Sequence, residues 1–444
     1  MKTGAPAPSN FLHKELDATK RSDRLNPTGK SLNLQVCRFL GQGQAFLETA
    51  TAVSPRTIHW SLTRTDIAGA FGDIGVLFPI AIALISLNHM NPTAIFLAAG
   101  LAYVIAGRYF RIPMPVQPFK AVAAIALALH LPPSTIASAG LLMGLLLAFI
   151  GVSNLASFLA RLFTLPIVRG IQLGLGLLLA REGLRLIGTS GGGPAIAGVV
   201  SVSSLLIAVG ALAILLALRN SQRFPAALVL LGAGIALGVA IHRNAFPSLQ
   251  PGPLPLEFLN PKLDELKSVM LILVLPQFAL TFGNSIVATE NTACILYGNQ
   301  ARRVTTRALS VAIGLMNLLG SMIQAAPMCH GSGGVTAHNK FGARTEKSNY
   351  VIGALCLLLA LFGGSAVGIL KLIPMPVLGV FLAYVGIQHA AFLRDIVRNR
   401  AFLLIAICVG GVALATTNLT YGFLVGFALQ GTVYLVVKTR SAGL

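Results

Sequence analysis

The chain has 444 residues, 55% of them hydrophobic and only 10% charged, with a mean hydropathy of +0.79. A soluble globular domain carries about 25% charged residues, the hydrophobicity excludes a disordered chain, and five cysteines in this length exclude a secreted disulfide scaffold. Forty-six glycines and 23 prolines in so apolar a background point to a polytopic membrane protein, because neighbouring membrane helices re-satisfy the backbone groups that these residues free.

Residues 1–60 stand apart, with eight Lys/Arg, four Asp/Glu and no apolar run long enough to cross a bilayer. They lack the layout of a signal peptide, and their acids disfavour an organellar transit peptide. The stretch reads as a basic cytoplasmic tail, disordered in the main, with an interfacial helix as an option near 32–46. Trp60 stands before the first apolar segment, where an interfacial anchor belongs.

From there apolar segments follow in series near 66–88, 92–107, 116–131, 134–153, 165–184, 194–218 and 224–241. A break at 242–266, rich in Pro and polar residues, reads as an extracytoplasmic linker. The second set lies near 267–290, 305–323, 332–341, 348–370, 374–392, 401–417 and 420–437. The predicted architecture is therefore all-α, with fourteen transmembrane segments divided seven and seven between 61–241 and 267–440. Most approach the roughly 20 residues that cross the hydrocarbon layer. The third and tenth do not: one opens with Pro113, Pro115 and Pro118, the other with a Gly/Ser/His cluster.

The cations test this layout, since Lys and Arg favour cytoplasmic loops. With the tail inside, 18 fall on the inner side outside the tail, six on the outer side, and only Lys120 inside a span. The net charge of +20 is then mostly a statement about orientation and contact with anionic lipid. No folded basic domain is present to serve a nucleic acid.

Three landmarks recur. Phe71-Gly72-Asp73 is echoed by Phe282-Gly283-Asn284, Pro113-Met114 by Pro327-Met328, and Pro166-Ile167-Val168 by Pro376-Val377-Leu378, at offsets of 211, 214 and 210. A repeat of seven spans is odd, so the second half must be inverted relative to the first. Inverted repeats with Gly/Pro-interrupted segments at matching places are a pointer to a secondary-transporter site. A helix starting inside the membrane aims its unpaired N–H groups and about half a positive charge into the cavity, which suits a small anion.

Four motifs carry the polar chemistry. In PMPVQPFKAVAAIAL at 113–127, Pro118 fits a first helical turn with Gln117 and Lys120 beside it. A Lys within a span costs roughly 2.5–3.5 kcal/mol on insertion scales, so Lys120 should meet an anion or gate, or else snorkel or pair with an acid. In PMCHGSGGVTAHNKFGAR at 327–344, Gly331, Ser332, Gly333 and Gly334 can present successive N–H groups to an oxyanion, with His330 and Ser332 as side-chain donors. Helix packing is the other reading of the glycines, and a metal site at Cys329, His330 and His338 lacks a fourth ligand. In FGDIGVLFPIAIAL at 71–84, Asp73 either binds a coupling ion, pairs with Lys120, or caps exposed backbone. Its repeat partner LPQFALTFGNSIVATEN at 275–291 offers Gln277, Asn284, Ser285 and Glu290, the last near the cytoplasmic end where it would be ordinary. Finally PIVRGIQLGLGLLLAREGLRL at 166–186 holds Gln172 as its one mid-span polar group, its glycines serving packing.

Together FGDIGVLFPI, PMPVQPFKAVAAIAL, QLGLG, FGNSIVA, GLMNLLG and PMCHGSGGVTAHNKFGAR resemble the signature segments of the molybdate transporter family, related to the sulfate permease superfamily. The resemblance covers about 66–440 in blocks, most specifically 327–344. It implies a uracil-permease-like fold whose core (spans 1–4 and 8–11) moves against a gate (5–7 and 12–14), with molybdate bound between half-helices at segments 3 and 10. A chain ending about seven residues past its last span favours this branch over sulfate permeases that carry a regulatory domain there. The expectation is a secondary active importer, not an enzyme, using no cofactor and no metal. Its binding residues would be Gln117, Lys120, Asn284, Ser285, His330, Gly331, Ser332, Gly333 and Gly334, with Asp73 and Glu290 for coupling or charge balance. The expected partners are molybdate, membrane lipid, a proton or sodium as coupling ion, and a second copy as a homodimer. Both termini would be cytoplasmic and the membrane the plasma (inner) membrane. A sulfate or other tetrahedral oxyanion transporter, an anion channel, and a sensor without transport are the competing readings. No phosphate loop for ATP-driven pumping is present.

Overall fold

The structure is a computed structural model that describes residues 63–153, 155–159, 164–188, 195–196, 200–201, 204–218, 221, 226–241 and 252–442. The tail 1–60 with Trp60, and the first part of the 242–266 linker, lie outside the described residues. By internal contacts the chain divides into Arg56–Gly426, which holds every residue discussed below, and a unit made of Met1–Pro55 and Phe427–Leu444. The described part of the second unit is the end of the last helix.

The chain is mostly helical, and its helices fall where the apolar segments do. They are α1 (Arg64–Ala70), α2 (Ile74–Asn88), α3 (Pro92–Phe110), α4 (Lys120–Leu129), α5 (Pro133–Val152), α6 (Leu155–Leu159), α7 (Leu165–Gly188), α8 (Ser204–Leu218) and α9 (Ala226–Ile241). After the linker come α10 (Leu266–Arg303), α11 (Thr306–Met322), α12 (Ser332–Lys340), α13 (Lys347–Leu361), α14 (Gly363–Lys371), α15 (Met375–Ala390), α16 (Arg400–Thr416) and α17 (Leu419–Ala442). Among the described residues α3, α5, α10 and the α15 helix extended to Ile396 are long and apolar enough to cross a membrane, or five spans if the bent pair α13–α14 counts as one. The sequence analysis expected one unbroken segment at 348–370; a turn at Phe362 divides it.

Helix starts follow local chemistry. The Asn91 side chain accepts from Ala94 N ahead of Pro92, which stands in the first turn of α3, where a missing N–H costs nothing. The Thr305 and Asn399 side chains cap α11 and α16 in the same way. Helix α10 is not uniform: it widens to π geometry at Met270–Val274 and again at Thr281–Val287. Such widenings leave carbonyls without their usual partners. Within the second, the Asn284 carbonyl accepts from the Thr289 hydroxyl at 3.0 Å.

The three landmarks of the repeat occupy matching places. Phe71–Asp73 forms a 3-10 turn between α1 and α2, and Phe282–Asn284 lies in the second π segment of α10, so each interrupts regular helix. Met114 and Met328 are both held by an asparagine that grips the backbone from two sides. Asn349 accepts from Met114 N at 2.9 Å and donates to Met114 O at 2.7 Å. Asn317 does the same for Met328 at 2.8 and 2.7 Å. Pro166 and Pro376 are each the second residue of a helix, α7 and α15.

The packing is reciprocal: α3 lies on α13, α5 on α11, and α7 on both α15 and α16. Where α7 crosses α15, glycine meets glycine. A Cβ on Gly176 would lie 2.5 Å from Gly386 O, and one on Gly183 would lie 2.4 Å from Gly379 O. The backbones touch there, which is how membrane helices gain van der Waals contact without a hydrophobic driving force.

Candidate functional site

The site begins with proline. Pro113, Pro115 and Pro118 lack amide donors and hold their predecessors extended, so the chain cannot turn helical until it has passed them. Sequence reasoning set Pro118 in the first helical turn; instead it belongs to a two-residue strand, β1 (Gln117–Pro118), and α4 starts at Lys120. β1 pairs antiparallel with β2 (Met328–Cys329), Gln117 opposite Cys329 and Pro118 opposite Met328. The Phe119 N–H donates to Pro327 O at 2.7 Å, extending the pairing. This pairing brings the starts of α4 and α12 together.

The orphan N–H groups of the two helix starts have different fates. On α4, Ala121 N and Val122 N both donate to Gln277 Oε1, at 2.9 and 3.3 Å, and Gln277 Nε2 donates to Thr281 Oγ1 at 2.8 Å. A side chain of α10 thus occupies the donors of the first short helix. Among the described residues no side chain caps α12, whose N-cap is Gly331 and whose first internal bond runs from Val335 N to Gly331 O. The N–H groups of Ser332, Gly333 and Gly334 therefore lack helical partners by their position in the first turn. The two helix ends are not equivalent donors, as sequence reasoning had assumed.

Side chains close in around that start. Lys120 is buried at 5% exposure and donates to Gln117 Oε1. Among the described residues it forms no ion pair with a carboxylate. Asp73 completes the 3-10 turn by its backbone, and its side chain lies outside the described residues. Gln117 also packs on the glycines of α12: a Cβ on Gly331 would lie 2.9 Å from Gln117 Oε1, and one on Gly334 2.5 Å from Pro115 Cβ. Crowding against Pro115 requires glycine at 334, whereas at 331 the nearest atom is the end of the flexible Gln117 side chain, which can move aside. Gly333 is different, since a Cβ there would meet only the Phe392 ring, at 3.9 Å.

His330 has a task other than the expected one. Its Nδ1 stands 2.7 Å from Pro115 O, so it carries the proton and donates to that carbonyl. In the neutral ring Nε2 then only accepts and offers no bond to an oxyanion. The ring, edge-on to Phe110, braces one extended segment against the other. His338 is likewise committed, with Nδ1 2.8 Å from Gly69 O. Among the described residues no three His, Cys, Asp or Glu side chains could hold a metal ion.

Asn284 joins the site from the π segment of α10. Its Oδ1 accepts from the Ser332 hydroxyl at 2.9 Å and from Gln172 Nε2 at 3.3 Å. Ser285, beside it, is buried on the same segment. Gln172 Oε1 in turn accepts from Arg169 Nη1 at 2.9 Å. Glu290 is not in this cluster; it accepts from Thr306 N at 2.9 Å and caps α11. The structure thus brings together Gln117, Lys120, Asn284, His330 and Gly331–Gly334. Sequence reasoning noticed Gln277 and Gln172 as polar groups on apolar helices without giving them a place, and counted Arg169 only as a loop cation. The available signal was spacing: Arg169 and Gln172 are three residues apart, which puts them on one helix face.

Comparisons with known proteins bear on the family and the fold. A family profile described as "Molybdate transporter of MFS superfamily" matches residues 65–179 and 269–388, more than half of the chain. The chain is 29% identical over 415 residues to Molybdate transporter 2 of Arabidopsis thaliana, covering 85% of this chain and 88% of that protein. It is 28% identical over 471 residues to Molybdate transporter 1 of Chlamydomonas reinhardtii, covering 82% and 90%. Among solved structures, its fold is similar to the transmembrane domain of a cyanobacterium bicarbonate transporter, BicA, with a TM-score of 0.61, 15% identity, and coverage of 83% of this chain and 98% of that chain. It is also similar to SLC26A9, with a TM-score of 0.64, 15% identity, and coverage of 98% and 72%. At such identity the structural likeness speaks for the fold alone, an integral multi-pass membrane fold. On the strength of the profile match, the chain belongs to the molybdate transporter family.

Proposed function

We propose that this protein is a secondary active transporter that imports molybdate by alternating access. The observation that carries the reading is the uncapped start of α12 beside a buried lysine with no carboxylate partner among the described residues. A helix start contributes about half a positive charge and Lys120 a whole one, and together they favour a small anion there. A small tetrahedral dianion is such an anion. Its oxygens would accept from Ser332, Gly333 and Gly334 N–H and from Lys120. Asn284 and Gln117 orient those donors, and Ser285 lies close behind. The names of the similar proteins from Arabidopsis and Chlamydomonas support molybdate as that dianion.

In this reading α4 and α12 are half-helices at segments 3 and 10 of fourteen, arranged as a seven-plus-seven inverted repeat. Spans 1–4 and 8–11 form a core that moves against a gate of 5–7 and 12–14. The termini are cytoplasmic, the membrane is the plasma membrane, and contact with anionic lipid follows from the inner cations. Asp73 serves charge balance or coupling to a proton or sodium, and a homodimer is the assembly. Glu290 we assign to capping α11.

The test is uptake into proteoliposomes, followed by molybdenum analysis with and without excess sulfate. Saturable, concentrative uptake that sulfate leaves mostly intact is the expected result. Uptake abolished by equimolar sulfate would make the protein a general oxyanion transporter. Current without concentrative uptake would make it a channel.

A further inference from the structure

Arg169 occupies the first turns of α7, five residues into the helix. Four surroundings fix its guanidinium. Nη2 is ion-paired with Asp395 in the 3-10 turn Ala391–Ile396 after α15. Nη1 donates to Gln172 Oε1 at 2.9 Å. The plane lies over the Phe392 ring, 5.3 Å from its centroid. Nε is buried and has no hydrogen-bond partner among the described residues. A guanidinium presents five N–H donors in a rigid fork, and a group that leaves one of them buried and unused carries a desolvation cost.

The ion pair is lopsided. The Arg169 side chain is 16% exposed and that of Asp395 is 48% exposed. The cation is anchored by stacking and by Gln172, whereas the carboxylate is half in water, where such a partner contributes only about 0–1 kcal/mol. Asp395 can therefore be released at little cost, while Arg169 stays in place. From Arg169 a continuous series of hydrogen bonds runs inward, through Gln172 and Asn284 to the Ser332 hydroxyl. The Phe392 ring under the guanidinium is also the group nearest Gly333, 3.9 Å from where a Cβ would stand. Arg169 is thus linked to Ser332 and Gly333, two of the three first-turn residues of α12 that the oxyanion would use. It also lies at the end of α7 that the Lys/Arg pattern assigns to the cytoplasm.

We propose that Arg169 is a second anion station, the cation that receives the tetrahedral dianion between Ser332 and the cytoplasm, and that Asp395 is the carboxylate that holds the station when no anion is there. The inference rests on the oxyanion-transport reading above. A dianion with several oxygens meets the fork with more than one bond and with twice the charge of a carboxylate, so it displaces Asp395, and departure of the dianion lets the carboxylate return.

The experiment compares Arg169→Gln, Arg169→Lys, Asp395→Asn and the charge swap Arg169→Asp with Asp395→Arg, all in full-length protein. Each is measured for molybdate uptake in proteoliposomes, molybdate binding in detergent and thermal stability. Arg169→Gln is expected to lower the uptake rate about tenfold while shifting the affinity of the inner site by less than about threefold. Asp395→Asn is expected to retain uptake with an unchanged or lower apparent KM, because it removes a competitor. The swap is expected to remain as slow as Arg169→Gln, because it restores an ion pair but not the cation on α7. A clamp that merely holds α7 to the turn after α15 makes the opposite prediction, with Asp395→Asn as damaging as Arg169→Gln and the swap restored to the wild-type rate. That pattern would overturn the proposal. If Arg169→Gln does not fold, Arg169→Lys and Asp395→Asn decide it: lysine keeps the charge without the fork and should transport more slowly than Asp395→Asn, and the reverse order would overturn the proposal. Wild-type vesicles that accumulate sulfate but not molybdate would overturn the substrate reading alone, with the same variants then compared on sulfate; wild-type vesicles that accumulate neither would overturn both.

Discussion

Lys120 is the residue on which the charge argument turns. It is buried, its hydrogen bond goes to a neutral amide, and no described carboxylate balances it. Replacing a buried charge by an apolar side chain of similar length is often neutral or stabilising, because the desolvation cost disappears. Lys120→Met is therefore expected to melt at or above the wild-type temperature while losing at least about tenfold in molybdate affinity, roughly 1.4 kcal/mol. A thermal melt and an equilibrium binding measurement on the same sample check both halves, and an unchanged affinity would remove Lys120 from the site. The lysine and the Gly331–Gly334 cluster were legible in the sequence because each is out of place in an apolar span. What the glycines do was not: Gly331 and Gly334 make room for Gln117 and Pro115, more than two hundred positions earlier. The role of His330 was likewise hidden, since its partner is a backbone carbonyl that no side-chain pattern announces.

At the scale of elements, the paired asparagines are the feature most open to measurement. Asn317 and Asn349 each satisfy both backbone groups of one methionine at the edge of an extended segment. Truncating either leaves a buried N–H and a buried C=O without that partner, at about 1–3 kcal/mol for each group left unpaired. Asn317→Ala and Asn349→Ala are each expected to lower the melting temperature by several degrees and to weaken anion binding, since the strands that set the starts of α4 and α12 lose their brace. Melting curves that superpose on wild type would show that the brace is dispensable. Segment positions were legible from hydropathy alone, and the two short helices from their prolines and glycines. The turn at Phe362 was announced by Gly363-Gly364-Ser365 just after it, but hydropathy alone carries through those residues to 370 and hides the break. The extent of α10 was not legible, since it runs to Arg303 through the polar stretch that sequence reasoning treated as a loop.

For the molecule as a whole, the basic charge and the repeat carry different information. The cations describe orientation, and the three recurring landmarks describe where regular helix is interrupted. One of these landmarks, Pro113-Met114 with Pro327-Met328, leads into the antiparallel pairing of β1 with β2, which brings the starts of α4 and α12 together. The correspondence of the landmarks was readable from a single chain because they keep nearly constant offsets. The asymmetry of the site was not readable, because it depends on which helix start a side chain of α10 happens to cap. Gln277 reaches α4, and among the described residues nothing equivalent caps α12. The central claim is that a tetrahedral dianion binds at that uncapped start. The most direct measurement is an experimental structure with bound tungstate, whose heavy atom marks its own position. The account predicts one dominant peak within hydrogen-bonding reach of the Ser332, Gly333 and Gly334 amides and of Lys120 Nζ. A peak at α4 with Gln277 displaced, or one remote from both helix starts in protein that still transports molybdate, would contradict it.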